Sequence, residues 1–430
     1  MQELRATQEL RATQDFRATP PHPIWRDRRT VALLMAASLT TMANATISPA
    51  LPGLERLFSG DPNAAMLTRL LVPAPALSVA LCAPLAGLVA DRFGRRAMLL
   101  SGTILFVIAG CAGLVLPDLP TIFASRLVLG IAVALIMTAQ TALVGDYFTG
   151  KDRSALTSLQ ISARNFGGLI FISLAGWGAT LSPRLPFAIY GLAAAFLPLM
   201  WIAIVDPPRS AHSRGAKPAD SAAGHPPWRA RLALLVLLQA LTNMIFFVMP
   251  TQLSFLLEER GYNSAAMTGA ALGVLMLSGG GFALLYPRIQ RAIGHLGIFA
   301  MGYVAMALGF LLLPFATTAS TFAATAAIGT GYALVSPCFI ALTLGLAPLR
   351  RRGLAGGLLT TSVFIGQFCS PLLGTPLIAR YGFDGLFHGT ALLLMAMAVA
   401  AGAVGVLSWL NLRSALTSKR MPVSPRSSLP

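Results

Sequence analysis

Twelve apolar runs, most of them longer than 20 residues, follow one another between residues 30 and 411, and they decide which solvent this chain folds in. A hydrocarbon core of roughly 30 Å is crossed by about 20 helical residues at 1.5 Å each, and inside it every backbone N–H and C=O must be satisfied within its own segment. The runs cover 30–51, 66–90, 97–117, 120–144, 154–181 and 185–205, then 231–257, 266–287, 296–316, 319–346, 353–379 and 385–411. The expected fold class is therefore an all-α membrane protein with twelve transmembrane helices in two six-helix bundles. Composition agrees, with 55% hydrophobic and only 11% charged residues, against roughly a quarter charged in soluble domains.

The polar segments divide the chain. Residues 1–29 hold a threefold repeat, Gln2–Thr7, Gln8–Thr13 and Gln14–Thr19, followed by Pro20, Pro21 and Pro23. Nothing there can bury a core or resembles a signal peptide, so a disordered cytoplasmic tail is expected. Residues 206–230, rich in Pro, Ser, Gly and charge, read as a cytoplasmic linker between a bundle at 30–205 and a second at 231–412, with a cytoplasmic tail at 413–430. Phe123, Gly130, Ala134 and Leu135 recur at the same spacing as Phe322, Gly329, Ala333 and Leu334, and Arg153 and Arg352 follow with the same shift of 199 residues. Such a repeat fits a six-plus-six duplication.

Charge sets the orientation. With the N-terminus inside, tails and inner loops hold 25 of the 32 Lys and Arg, the outer loops hold Arg56, Arg69, Arg184, Arg260 and Arg380, and two lie within spans. Short basic loops stay cytoplasmic, so both termini are expected inside, in a bacterial inner membrane. The net charge of +17 does not indicate nucleic acid, because the basic residues sit between apolar runs rather than on one face of a water-soluble domain. Cys82, Cys111, Cys338 and Cys369 lie in apolar runs without CxxC spacing, and the five histidines are scattered, so no metal site is expected. No G-x-x-x-x-G-K-[ST] occurs, and no His, Ser or carboxylate cluster sits at one membrane depth; neither a cofactor nor catalysis is expected.

Between the second and third runs stands Gly87-Leu-Val-Ala-Asp91-Arg92-Phe-Gly94-Arg95-Arg96. Gly87 suits close helix approach, Asp91 a helix N-terminus, and Gly94 a tight turn. This segment resembles the loop signature of the major facilitator superfamily, G-x-L-x-D-R-x-G-R-R/K, and the span count and charge layout extend the likeness over about 30–412. The resemblance implies a gating loop in which the aspartate locks against the eleventh span, with Arg95 or Arg96 paired to Asp146. Arg126 and Gly130 match the family's R-x-x-x-G signature. The antiporter signature in the fifth run is only partly present: Gly168 and Gly176 fit, whereas Ile172, Ser173 and Trp177 stand where Gly, Pro and Gly would be.

A charge within hydrocarbon costs several kcal/mol unless it meets water or a partner. Arg126 shares a helix face with Gly130, Val133, Met137 and Gln140, and that face is expected to line a pathway. Arg164, flanked by Gln160 and Asn165, lies about 15 Å into its run if helix begins near Ser154. Asn44, Asn243 and Gln367 complete the expected substrate-binding set. Two intramembrane cations without an intramembrane carboxylate suggest a solute that is anionic or rich in acceptors. The expected function is a monomeric secondary transporter moving a small molecule by alternating access, as a proton-coupled exporter of a metabolite or drug. Uptake of a small organic anion, or a non-transporting receptor on the same fold, are the alternatives.

Overall fold

The computed structural model describes residues 26–148, 150–206, 228–315, 317–348 and 351–418. The N-terminal repeat, most of the linker expected at 206–230 and the tail beyond 418 lie outside these. Every regular element among the described residues is helical. α1 (Arg28–Ala45) begins two residues before its apolar run, because the Asp27 carboxylate accepts from the Arg29 amide at 2.8 Å and caps the first turn. Pro49 and Pro52 then remove helical donors, and the chain passes through a 3₁₀ turn at Ser48–Ala50 into α2 (Leu51–Leu57). α3 (Ala64–Leu71) and α4 (Ala74–Phe93) flank Pro73 and meet at a bend of 54°.

α5 (Arg95–Cys111), α6 (Leu119–Tyr147) and α7 (Gly150–Leu181) follow, with Asp118 capping α6 through the Thr121 amide at 2.8 Å. A 3₁₀ segment at Leu185–Phe196 leads into α8 (Leu197–Ala203). Helix resumes within the expected linker, at Trp228: α9 (Trp228–Phe246) and α10 (Val248–Glu259) precede α11 (Ser264–Leu312), α12 (Thr318–Leu346) and α13 (Arg352–Ser418). Two of these are joined arms rather than single rods. Gly294 (φ 69°) breaks α11 and Gly382 (φ 71°) breaks α13, each in a left-handed conformation that a Cβ would penalise. Gly94, 200 residues before Gly294, has φ 91° between α4 and α5.

Eight helical stretches among the described residues are long and apolar enough to cross a membrane, or nine with the bent α3–α4 pair. Their outward faces carry Leu81, Ile108, Leu237, Leu284 and Leu392, each more than half exposed. A water-soluble domain would not leave such a coat, and lipid is its natural solvent.

Close helix approach repeats between the halves of the sequence. A Cβ on Gly130 of α6 would stand 2.3 Å from the Pro75 carbonyl oxygen of α4, and one on Gly329 of α12 would stand 2.3 Å from that of Leu275 of α11. The halves meet where α7 crosses α11: a Cβ on Gly176 would lie 2.8 Å from the Gly269 Cα. α4 also packs on α13.

Candidate functional site

We call the end of the bundle carrying the joints near residues 58–63, 182–184 and 260–263 distal, and the opposite end proximal. At the distal end Arg56 of α2 pairs with Glu258 of α10. Arg69 of α3 reaches Glu55 at 3.1 Å and lies 4.1 Å from the ring centroid of Phe255 on α10, a cation–π contact between the halves. Arg184 donates to the carbonyls of Gly113, Leu114 and Leu116 and lies over the Phe58 ring, closing the first half at this end.

At the proximal end Arg95 pairs with Asp146 at the end of α6. The amides of Arg95 and Arg96 donate to one carboxylate oxygen of Asp206 at 2.9 and 2.8 Å, and the Arg96 guanidinium donates to the Trp201 carbonyl and stacks over that ring. Asp206 thus caps α5 from 110 residues away, and a Cβ on Gly94 would meet its Oδ2 at 2.9 Å. The Tyr147 hydroxyl donates to the Val205 carbonyl and accepts from its amide. Gly87 and Asp91 fall where side chains lie outside the described structure, while Arg92 is exposed near the Phe93 ring.

Arg126 does not line an open face in this structure. Its side chain is wholly buried, with Nη2 donating to the Ala43 carbonyl at 3.0 Å and to the Tyr190 hydroxyl at 2.7 Å, and the guanidinium lies 4.8 Å from the Tyr190 ring centroid. Here it is a packed cation held between α1 and the 3₁₀ segment. Nothing in the Tyr190 region, an apolar run 64 residues on, announces that partner. The neighbouring Nε and Nη1 have no protein partner.

Arg164 lies fourteen residues into α7, which starts at Gly150 rather than near Ser154, and so stands about 21 Å along the helix from its first residue. Its Nε is buried without a hydrogen-bond partner, and among the described residues it forms no ion pair. Asn165 beside it bonds back to the Ile161 carbonyl at 3.1 Å and lies against Gly280 of α11. At matching depth, fifteen residues into α9 and α13, are Asn243 and Gln367, and Tyr332 sits at the middle of α12. The Tyr332 hydroxyl donates to Asn243 Oδ1 at 2.8 Å, and its ring stacks on Phe246 with centroids 3.8 Å apart. Buried amide oxygens of Gln140, Gln239 and Gln367 have no protein partner. Asn44 is half-buried on α1.

Counted along the helices, Arg164, the unmet Gln367 oxygen and the Tyr332–Phe246 pair fall at similar depth, an arrangement suited to binding a small molecule rather than to making or breaking bonds. Tyr332 and Phe246 were not singled out by sequence, since aromatic residues in apolar runs carry no periodic signal of their own.

The chain is 25% identical to the Bacillus subtilis (strain 168) protein named Multidrug resistance protein 1 over 312 residues, covering 70% of this chain and 77% of that one. It is 24% identical to the Staphylococcus aureus (strain COL) Quinolone resistance protein NorA over 360 residues, covering 82% and 89%. In fold it is similar to the human organic anion transporter MFSD10 (TETRAN), with TM-score 0.67, 19% identity and coverage of 89% and 100%. It is also similar to a D-xylose-proton symporter, with TM-score 0.68, 18% identity and coverage of 88% and 96%. The family model of the Major Facilitator Superfamily matches residues 33–371, so the chain belongs to that superfamily of membrane transporters.

Proposed function

We propose that this chain exports a small amphiphilic solute by alternating access, with two six-helix bundles rocking about the polar layer at Arg164, Asn243, Tyr332 and Gln367. Twelve spans are supported by element lengths: α11 and α13, at 49 and 67 residues, are far longer than about 20 residues needed, and each breaks at a left-handed glycine. α7 is the remaining crossing, its polarity reflecting Gln160, Arg164 and Asn165. The observation that carries the reading is the Arg164 guanidinium, buried in part and without a carboxylate, at the depth of an aromatic pair. Such a layer suits a flat ring bearing a carboxylate or strong acceptor. The names of the relatives, which speak of multidrug and quinolone resistance, favour export.

The Gly87–Arg96 loop, with Arg95 tied to Asp146, gates the proximal mouth, and in this structure the distal mouth is shut by the Arg56–Glu258 and Arg69–Phe255 contacts. The proximal end faces the cytoplasm with both termini, by the excess of Lys and Arg there, in a bacterial inner membrane. The protein acts as a monomer, and protons drive export through Asp91, Asp146 or the solute itself. Reconstituted protein given matched panels of aromatic carboxylates and permanent aromatic cations tests the reading. Carboxylate flux should exceed cation flux, and Arg164→Gln should lower it by about ten- to a hundredfold, the worth of a charge-assisted hydrogen bond. Preference for cations, unaltered in Arg164→Gln, would overturn it.

A further inference from the structure

The flank of the second half holds a cavity that the transport layer does not use. α9 and α10 meet the two arms of α13 along a groove of about 460 Å³, with Met244 and Val248 on one wall and Leu373, Leu377, Tyr381 and Gly389 on the other. Leu373, Leu377 and Tyr381 are 53%, 43% and 58% exposed, so the groove opens outward rather than to the interior. Beyond Gly389 no atom lies within 4 Å of where a Cβ would stand, so the wall is hollow there.

Length and charge identify what fits. From Ser370 to Tyr381 the lining of α13 extends eleven residues, about 17 Å of helix, which matches one leaflet of a hydrocarbon core of roughly 30 Å. The mouth is cationic. Arg260 and Asp384 neutralise each other at 3.0 Å, and the His388 ring Nδ1 contacts the Asp384 carbonyl at 2.7 Å. Arg380 is left over: it is exposed, lies 5.3 Å from the centroid of the groove-lining Tyr381 ring, and forms no ion pair among the described residues. An apolar slot one leaflet long, with an uncompensated guanidinium at its rim, is complementary to an amphiphile with an anionic head.

We propose that this groove binds one acyl chain of an anionic phospholipid, whose phosphate is held by Arg380 while the chain lies between α9–α10 and α13. The claim rests on these helices crossing a bilayer and not on any transported solute. Removing a chain from the slot forfeits the burial of its methylenes, and removing the arginine forfeits only head selection.

Purified full-length protein in detergent, with phosphatidylglycerol and phosphatidylcholine of identical chains, tests this by native mass spectrometry and thermal unfolding. Wild type should retain one phosphatidylglycerol, with about fivefold preference over phosphatidylcholine, the effect of one arginine at an anionic surface. Arg380→Gln should abolish the preference while keeping the lipid. Gly389→Phe should weaken retention of both lipids by about tenfold or more. Leu377→Trp narrows the same slot from α13's other arm and serves if Gly389→Phe fails to fold. Gly402→Phe, also facing open space but about 20 Å further along the helix, should behave as wild type. Equal binding of the two lipids by wild type, or undiminished retention when the slot is filled, would overturn the proposal.

Discussion

The two ends of the bundle are held in different ways. At the distal end the polar and aromatic contacts cross between the halves: Arg56 meets Glu258 and Arg69 lies on Phe255, above the place where Gly176 of α7 crosses Gly269 of α11. At the proximal end Arg95–Asp146, the Asp206 cap on α5 and the Tyr147–Val205 pair all join elements of the first half to one another. Parting the halves at the distal end must break contacts between them. Parting them at the proximal end leaves this network whole, so the first half can move there as one piece. In the proposed alternating-access cycle the distal contacts would hold a state, and the proximal ones would hold a body.

The comparison can be broken by covalent means first. In a background with Cys82, Cys111, Cys338 and Cys369 replaced, Arg56→Cys with Glu258→Cys should form a disulfide under oxidation and cut flux at least about twentyfold, with recovery on reduction; the bond would fix a closure contact worth only about 1 kcal/mol on its own. Next in size, Gly176→Leu should force α7 and α11 apart, costing about 1–3 kcal/mol of overpacking and raising the labelling of a single Glu258→Cys in the same background. Arg95→Gln should slow flux several-fold while lowering stability by about 1 kcal/mol or less, because the pair is partly exposed, and the exchange of Arg95→Asp with Asp146→Arg should restore much of the rate. Smallest is Glu258→Gln. Arg56 is 70% exposed there, so the change should alter melting by under about 1 kcal/mol and matter less as salt rises. An order in which Glu258→Gln outweighs Gly176→Leu would mean that charge, not packing, closes the distal end.

What sequence reveals here divides by range. The apolar runs mark where helices lie, since each run is its own evidence, and the Gly94 turn follows from its own motif, whereas the Arg95–Asp146 pairing, between residues 51 apart, was expected only through the family resemblance. Other partners remote in sequence left no trace: Asp206, at the start of a polar segment, caps α5, and Tyr190 satisfies an arginine 64 residues before it. Intramembrane cost marks Arg126 as a residue needing company but not which company. Arg164 differs from Arg126 in its other contacts: the same cost argument flagged it, and among the described residues it meets no counterpart of the Ala43 and Tyr190 partners that hold Arg126 Nη2. Helix starts shifted for short-range reasons that apolarity does not carry, such as the Asp27 cap before α1 and the polar first turn of α7.

Gly294 and Gly382 each turn the chain through a one-residue joint, so α11 and α13 have no slack between their arms. A residue inserted at either joint must be absorbed by turning the following arm about 100° around its own axis or by unwinding a turn of it. The first response would swing lipid-facing side chains such as Leu392 and Val399 toward the packed interior. Length changes that this chain survives are therefore expected in the polar segment around 207–227, while the two glycine joints should tolerate none.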